Sequence, residues 1–221
     1  MTNYNVENSF DFNALLQDGT WAYEEGLLFF QGRGTMNKVL KRVAADLDRC
    51  SIEYAVIGAI ALNMYGYRRF TEDIDLLMTC QDLQKFQEKL IGLGYRPKFQ
   101  EATKQFRTVQ ENISIKIITT EEYLGDGLPK PVQFPDPIGF TTEIEGIKVI
   151  CLEKLVELKL ASGLTAPHRL KDLADIQELI QVKHLSLDFS EKLDLSVRDK
   201  FLELYKSVQP INENNENNEN H

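Results

Sequence analysis

The chain has 221 residues, 43% apolar side chains and a formal net charge of −9. That length suits one domain, or one domain with a small appendage, and the apolar fraction is enough for a buried core. The acidic balance argues against broad, charge-driven binding to nucleic acid, which needs a basic surface. Glu213, Glu216 and Glu219 in the tail carry three of those charges, leaving −6 on the rest. No apolar run reaches the roughly 18 residues of a membrane span. The start, MTNYNVENSFDF, lacks the basic residues and apolar stretch of a secretory signal. Cys50, Cys80 and Cys151 are odd in number, scattered and mostly set in apolar segments. They read as reduced core thiols of a cytoplasmic protein. His168, His184 and His221 lie far apart and no Cys-x-x-Cys exists, which argues against a zinc site.

Residues 1–35 read as an N-terminal extension. Within it WAYEEGLLFF (21–30) should pack on the main body as a short helix or strand, until Gly32 and Gly34 break it. Residues 36–49 have the apolar spacing of a helix. A short buried strand follows at 54–57, a helix at 59–67, a strand at 71–78 and an amphipathic helix at 82–93, stopped by Gly94. Residues 106–110 and 113–119 form a hairpin around Glu111-Asn112. The Gly- and Pro-rich stretch 123–139 is a long loop of the kind that is often functional or ordered by a partner. A strand or hairpin around Glu145-Gly146 spans 142–150, and helices follow at 152–161, 168–181 and 196–208. This order gives an α+β core over 36–150, a mixed β-sheet flanked by helices, with a C-terminal helical subdomain over 151–208. The Asn/Glu tail, 209–221, is low in complexity and expected to be disordered.

The richest stretch is IGAIALNMYGYRRFTEDIDLLM, residues 57–78. A Gly58-Ala59 turn ends an apolar strand, and about a dozen residues later come Asp73 and Asp75. Strand residues two apart share a face, so both aspartates point one way while Ile74 and Leu76 point into the core. Adjacent carboxylates raise each other's pKa unless a cation sits between them. Mg²⁺ held by one or two carboxylates and substrate phosphates is the usual pattern at phosphoryl- and nucleotidyl-transfer sites.

Two C-terminal helices carry charges on apolar faces. Lys159 falls in the arc of Leu152, Leu155, Val156 and Leu160. Arg169 and Asp172 fall in the arc of Leu170, Leu173, Ile176, Leu179 and Ile180, with Asp175 at its edge. Such residues are rarely buried unpaired. They form either a structural ion-pair cluster between two helices or a site in which Lys159 meets phosphate and Asp172 orients it. Both can hold together.

These residues resemble the nucleotidyltransferase superfamily with the DNA-polymerase-β-like core, and within it the minimal bacterial members related to abortive-infection (AbiEii-type) toxins. The carrying motifs are Gly58-Ala59, the Arg69-x-Thr71-x-Asp73-x-Asp75 run, Lys159 on a later helix, Arg169-x-x-Asp172-x-x-Asp175, and EYLGDGLPKPVQFPDP. The resemblance spans about residues 36–205. It implies transfer of an NMP from an NTP to a hydroxyl of RNA, protein or a small molecule, with release of pyrophosphate, in a toxin–antitoxin setting with an antitoxin partner or as a homo-oligomer. Asp73 and Asp75 would bind Mg²⁺ (or Mn²⁺). Gly58 and Ala59 would hold phosphates. Arg69, Thr71 and Lys159 would line the nucleotide, and Asp172 would orient Lys159.

Two departures stand out. Ala59 replaces a usual Gly or Ser. The later strand ISIKIIT, with outward face Ser114, Lys116 and Ile118, has Lys116 where active members often place a third carboxylate. Asp126, Asp136 and Glu143 are the other acids that could reach the site. The alternative is a degenerate relative that binds nucleotide or a protein partner without turnover.

Overall fold

A computed structural model of the chain describes residues 11–123 and 128–209. The start of the N-terminal extension, the loop acid Asp126 and nearly all of the Asn/Glu tail lie outside them.

Helices α1 (Phe12–Leu15) and α2 (Gly19–Phe30) lead into α3 (Thr35–Arg49). Met36, Val39, Leu40, Val43, Ala44 and Leu47 of α3 recur at three- and four-residue steps and are all buried, so one stripe faces the core. The stretch 21–30, open between helix and strand in the sequence, is helical. Buried Glu25 of α2 accepts from the Met36 N–H (3.3 Å) and the Thr35 hydroxyl (3.1 Å). It thereby satisfies a donor at the start of α3 that has no intrahelical partner. A Cβ on Gly34 would lie 2.6 Å from that carboxylate, so only glycine lets the two helices meet there.

Among the described residues seven strands form one mixed sheet in the order β3-β4-β5-β2-β1-β7-β6. Next to the central β2 (Asp73–Met78) lies β1 (Ala55–Val56), antiparallel to β2 and parallel to β7 (Ile147–Ile150). β2 runs parallel to β5 (Ser114–Thr119), with Asp73 opposite Ser114 and Asp75 opposite Lys116. Parallel neighbours need a crossover. Here it contains α5 (Cys80–Leu90) and the hairpin of β3 (Tyr95–Pro97) and β4 (Gln105–Thr108), whose second strand pairs antiparallel with β5. β6 (Thr141–Ile144) and β7 make the expected hairpin around Glu145-Gly146. Ile74 and Leu76 are fully buried while Asp73 and Asp75 are not, as the period of two requires.

Between β1 and β2 lies α4 (Gly58–Met64); α6 (Leu152–Thr165), α7 (Leu170–Lys183) and α8 (Leu195–Ser207) complete the fold. Leu155, Val156 and Leu160 of α6 and Ile176, Leu179 and Ile180 of α7 join one continuous core with the sheet. No helix among the described residues is long and apolar enough to cross a membrane.

Two expectations are corrected. The three cysteines are free, but Cys80 is exposed and the other two are only partly buried, so they are not core thiols. Cys80 follows the N-cap Thr79 at the first position of α5, where its side chain clears the helix into solvent. Ser114 is buried rather than on an open face.

Candidate active site

Ile57 follows β1, and its N–H donates to the Asp75 carbonyl (3.0 Å). The chain then turns through Gly58 at φ +67°. That left-handed conformation suits glycine, which has no Cβ. Space demands glycine as well, because a Cβ there would lie 2.4 Å from Asp75 Oδ2. The turn therefore rests directly on the second aspartate. No side chain caps the start of α4.

The segment after α4 is fixed by Asn63. Its amide donates to the Ala59 carbonyl (3.0 Å) and to the Arg69 carbonyl, and its oxygen accepts the Arg69 N–H (3.0 Å). This clamp aims Arg69 at α7, where Nη1 donates to Asp175 Oδ2 (2.6 Å). The ion-pair partner of Arg69 is thus Asp175, not its neighbours Glu72 or Asp73. The Thr71 hydroxyl accepts the Asp73 N–H (3.3 Å) and donates to the Asp73 carbonyl (3.2 Å), shaping the entry to β2.

From the other side, Lys159 of α6 donates to Asp172 Oδ1 (2.8 Å) and Asp175 Oδ2 (2.7 Å) of α7. Ser162 Oγ (2.8 Å) and Arg169 Nε (2.9 Å) both donate to Asp172 Oδ2. Lys159 is 7% exposed and the two aspartates 3% each. Burial pushes the Asp172 carboxyl up, but Lys159, Arg169 and Ser162 together outweigh it and hold the pKa down at about 2. The cluster is both a buried network and a wall of the cleft.

One cleft of about 610 Å³ brings together Gly58, Ala59, Arg69, Thr71, Asp73, Asp75, Lys159 and Asp172. Its volume falls in the range of small-molecule sites. Lys116 also lines it, with Nζ bonded to Asp73 Oδ2. Asp136 and Glu143 do not line it; Asp136 instead caps the Ile138 N–H (2.9 Å). The carboxylate that does line it is Glu122, beside Tyr123, Phe134, His168 and Lys171. Glu122 is engaged, accepting the Thr119 N–H (2.9 Å) and bonded to Lys104. An isolated antiparallel bridge pairs Tyr123 with Gln133 across this loop. Glu122, Tyr123 and Phe134 sit in no periodic pattern; their trace in the sequence is the proline-stiffened EYLGDGLPKPVQFPDP stretch.

The donor set fits a hard divalent cation in part. Burial raises the Asp75 carboxyl, with Lys116, Lys159 and Arg169 opposing and Asp73 adding to it, and among the described residues no hydrogen bond helps to hold its charge. An anion so placed gains from a cation. Among the described residues no three His, Cys, Asp or Glu side chains gather as a metal cage. Asp73 and Asp75 would therefore share the ion with nucleotide oxygens and water, as Mg²⁺ prefers.

The sequence matches no protein-family model and no curated protein sequence. Solved structures resemble it in shape. The lincosamide antibiotic adenylyltransferase LnuA, lincomycin-bound, is 17% identical with a TM-score of 0.45, over 66% of this chain and 96% of its own. JHP933 from Helicobacter pylori is 19% identical with a TM-score of 0.44, over 78% and 88%. ANT(2'')-Ia, in complex with adenylyl-2''-tobramycin, is 16% identical with a TM-score of 0.50, over 76% of this chain and 97% of its own. The chain has a nucleotidyltransferase-like fold. In this fold the sheet carries Asp73 and Asp75, and the C-terminal helices carry the cations that face them.

Proposed function

We propose that this protein is a metal-dependent nucleotidyltransferase, moving an NMP from an NTP to an acceptor hydroxyl and releasing pyrophosphate. The observation that carries the reading is convergence. The Asp73–Asp75 pair with Arg69, and Lys159 with Asp172, come from segments far apart in the chain, yet line one nucleotide-sized cleft, and Asp175 joins Lys159 to Arg69 behind it.

Asp73 and Asp75 would hold Mg²⁺ (or Mn²⁺), which when bound draws charge from the triphosphate. Arg69 and Lys159 present fixed positive charge to the phosphates, Lys159 as a point charge. Asp172 holds Lys159 in place, a positioning role. Gly58 permits close backbone approach, and Ala59 adds no hydroxyl there. Thr71 fixes the strand entry that aims Asp73.

The neighbour bound to adenylyl-2''-tobramycin shows that this fold adenylylates a small molecule in one protein. For this chain the lining favours a neutral or anionic acceptor. His168, Arg169 and Lys171 stand at the cleft, while among the described residues its one acid outside the paired aspartates and the lysine network, Glu122, is already bonded to Lys104. RNA and protein hydroxyls both meet that requirement. An antitoxin partner or a second copy of the chain would fit a toxin–antitoxin role.

The test is incubation with α-labelled NTPs, Mg²⁺ and separate pools of RNA, protein and small metabolites. Label should pass to one pool with wild type and not with Asp73→Asn. No transfer by wild type, despite nucleotide binding, supports the second reading, a nucleotide-binding relative without turnover. The Lys116–Asp73 bond is the observation that favours it.

A further inference from the structure

Beside the aspartate pair stands a residue of the wrong sign to be a metal ligand. Lys116 faces Asp75 across the β2–β5 ladder, and its Nζ is bonded to Asp73 Oδ2. A protonated lysine offers three donors and no lone pair. The pair is open to solvent ions, with side-chain exposures of 41% and 30%. Among the described residues the other nearby acids are already filled. Asp172 is taken by Lys159, Ser162 and Arg169; Asp175 by Lys159 and Arg69; Glu122 by Thr119 and Lys104. Free carboxylate oxygens remain for one hard cation.

We propose that Lys116 stands in for a second metal ion: the cleft takes a single divalent cation between Asp73 and Asp75, and the lysine ammonium supplies the remaining positive charge. This rests on the reading of the cleft as a metal–nucleotide site. The resident ammonium repels an incoming cation at short range, so the bare protein binds metal weakly. A triphosphate brings the negative charge that restores affinity, and an ammonium released from Asp73 meets a phosphate oxygen.

The test counts Mn²⁺ by electron paramagnetic resonance after equilibrium dialysis, with and without a non-hydrolysable α,β-methylene NTP. Wild type, Lys116→Met and Lys116→Asp are compared after circular dichroism confirms that each is folded. Wild type should hold one Mn²⁺ per chain, only with nucleotide, and show no spin–spin coupling. Lys116→Met should bind Mn²⁺ without nucleotide about tenfold more tightly or better, as removal of a nearby like charge implies. Lys116→Asp should hold two coupled ions, the pattern of two-metal sites. Two coupled ions in wild type, or Lys116→Met unchanged from wild type, overturn the inference and leave the proposed function standing. No Mn²⁺ on wild type with nucleotide present overturns both. If Lys116→Asp does not fold, the wild-type count and Lys116→Met decide alone.

Discussion

Arg69 and Lys159 meet at a single oxygen, Oδ2 of Asp175, at 2.6 and 2.7 Å. One comes from the segment before β2 and the other from α6, so this atom ties the sheet's aspartate edge to the C-terminal helices. With Arg169 on Asp172, three cations face the two carboxylates Asp172 and Asp175, and the surplus positive charge is one that a triphosphate would complete.

Lys159→Met should separate the structural and functional parts of this knot. It leaves Asp172 with Arg169 and Ser162, and Asp175 with Arg69 alone. Breaking a buried pair costs about 3 kcal/mol or more, read as a lower midpoint of urea unfolding with an unchanged slope. Nucleotide affinity of the folded variant should fall at least about tenfold, since a charge-assisted contact is worth roughly 1.5–3 kcal/mol. Unchanged affinity would make Lys159 structural only.

Acid stability carries the sign of Asp172. Its carboxyl, ordinarily at 3.8, lies at about 2 in the folded chain. A depressed acid contributes stability that is present above the unfolded value and lost as pH falls through the folded one. The contribution, roughly 2 kcal/mol, should therefore vanish between about pH 4 and pH 2. Asp172→Asn should flatten that limb of a stability-against-pH curve.

Asp75 has the opposite sign. Burial raises its carboxyl, so its ionised form costs stability at neutral pH, and that cost grows as pH rises from the unfolded value through the folded one. Asp75→Asn, nearly isosteric, should raise the melting temperature of the metal-free protein while abolishing metal-dependent nucleotide binding. Such a trade of stability for activity is common at functional sites. A lower melting temperature would contradict the burial account of this side chain.

Gly58→Ala should harm both fold and site. The residue sits at φ +67°, and the new methyl carbon would lie 2.4 Å from Asp75 Oδ2. Left-handed backbone costs a non-glycine roughly 1–2 kcal/mol, and relief of the contact must move the carboxylate. Calorimetry should show a lower melting temperature together with loss of Mg²⁺-dependent nucleotide binding.

Much of the fold was legible because spacing is local. The stripe Met36 to Leu47 and the alternation around Asp73 and Asp75 gave helix and strand without tertiary knowledge. The edge strand Tyr95–Pro97 was missed, being three residues long, with an exposed Arg96 and a proline that cannot donate to the ladder. The charges on the apolar faces of α6 and α7 are visible as anomalies that can pair with one another, as they do, but the link from Asp175 to Arg69 is not. Arg69 and Asp175 are 106 residues apart, and no local pattern records such a pairing. The place of Lys116 beside the aspartates is implied by the family resemblance alone; the parallel β2–β5 ladder, which no local spacing records, sets it opposite Asp75. Glu122, Tyr123 and Phe134 enter the cleft from an irregular loop, held by backbone bonds between Glu121 and Phe134 (3.2 Å) and between Phe134 and Glu122 (3.4 Å); these have no sequence period to betray them.

The most direct measurement is calorimetric titration of each NTP, with Mg²⁺, into wild type and into the Asp73→Asn/Asp75→Asn double variant. Saturable binding that requires Mg²⁺ and is lost in the folded variant is the expected result. No binding by wild type, or equal binding by the variant, would contradict a metal–nucleotide site at these two carboxylates.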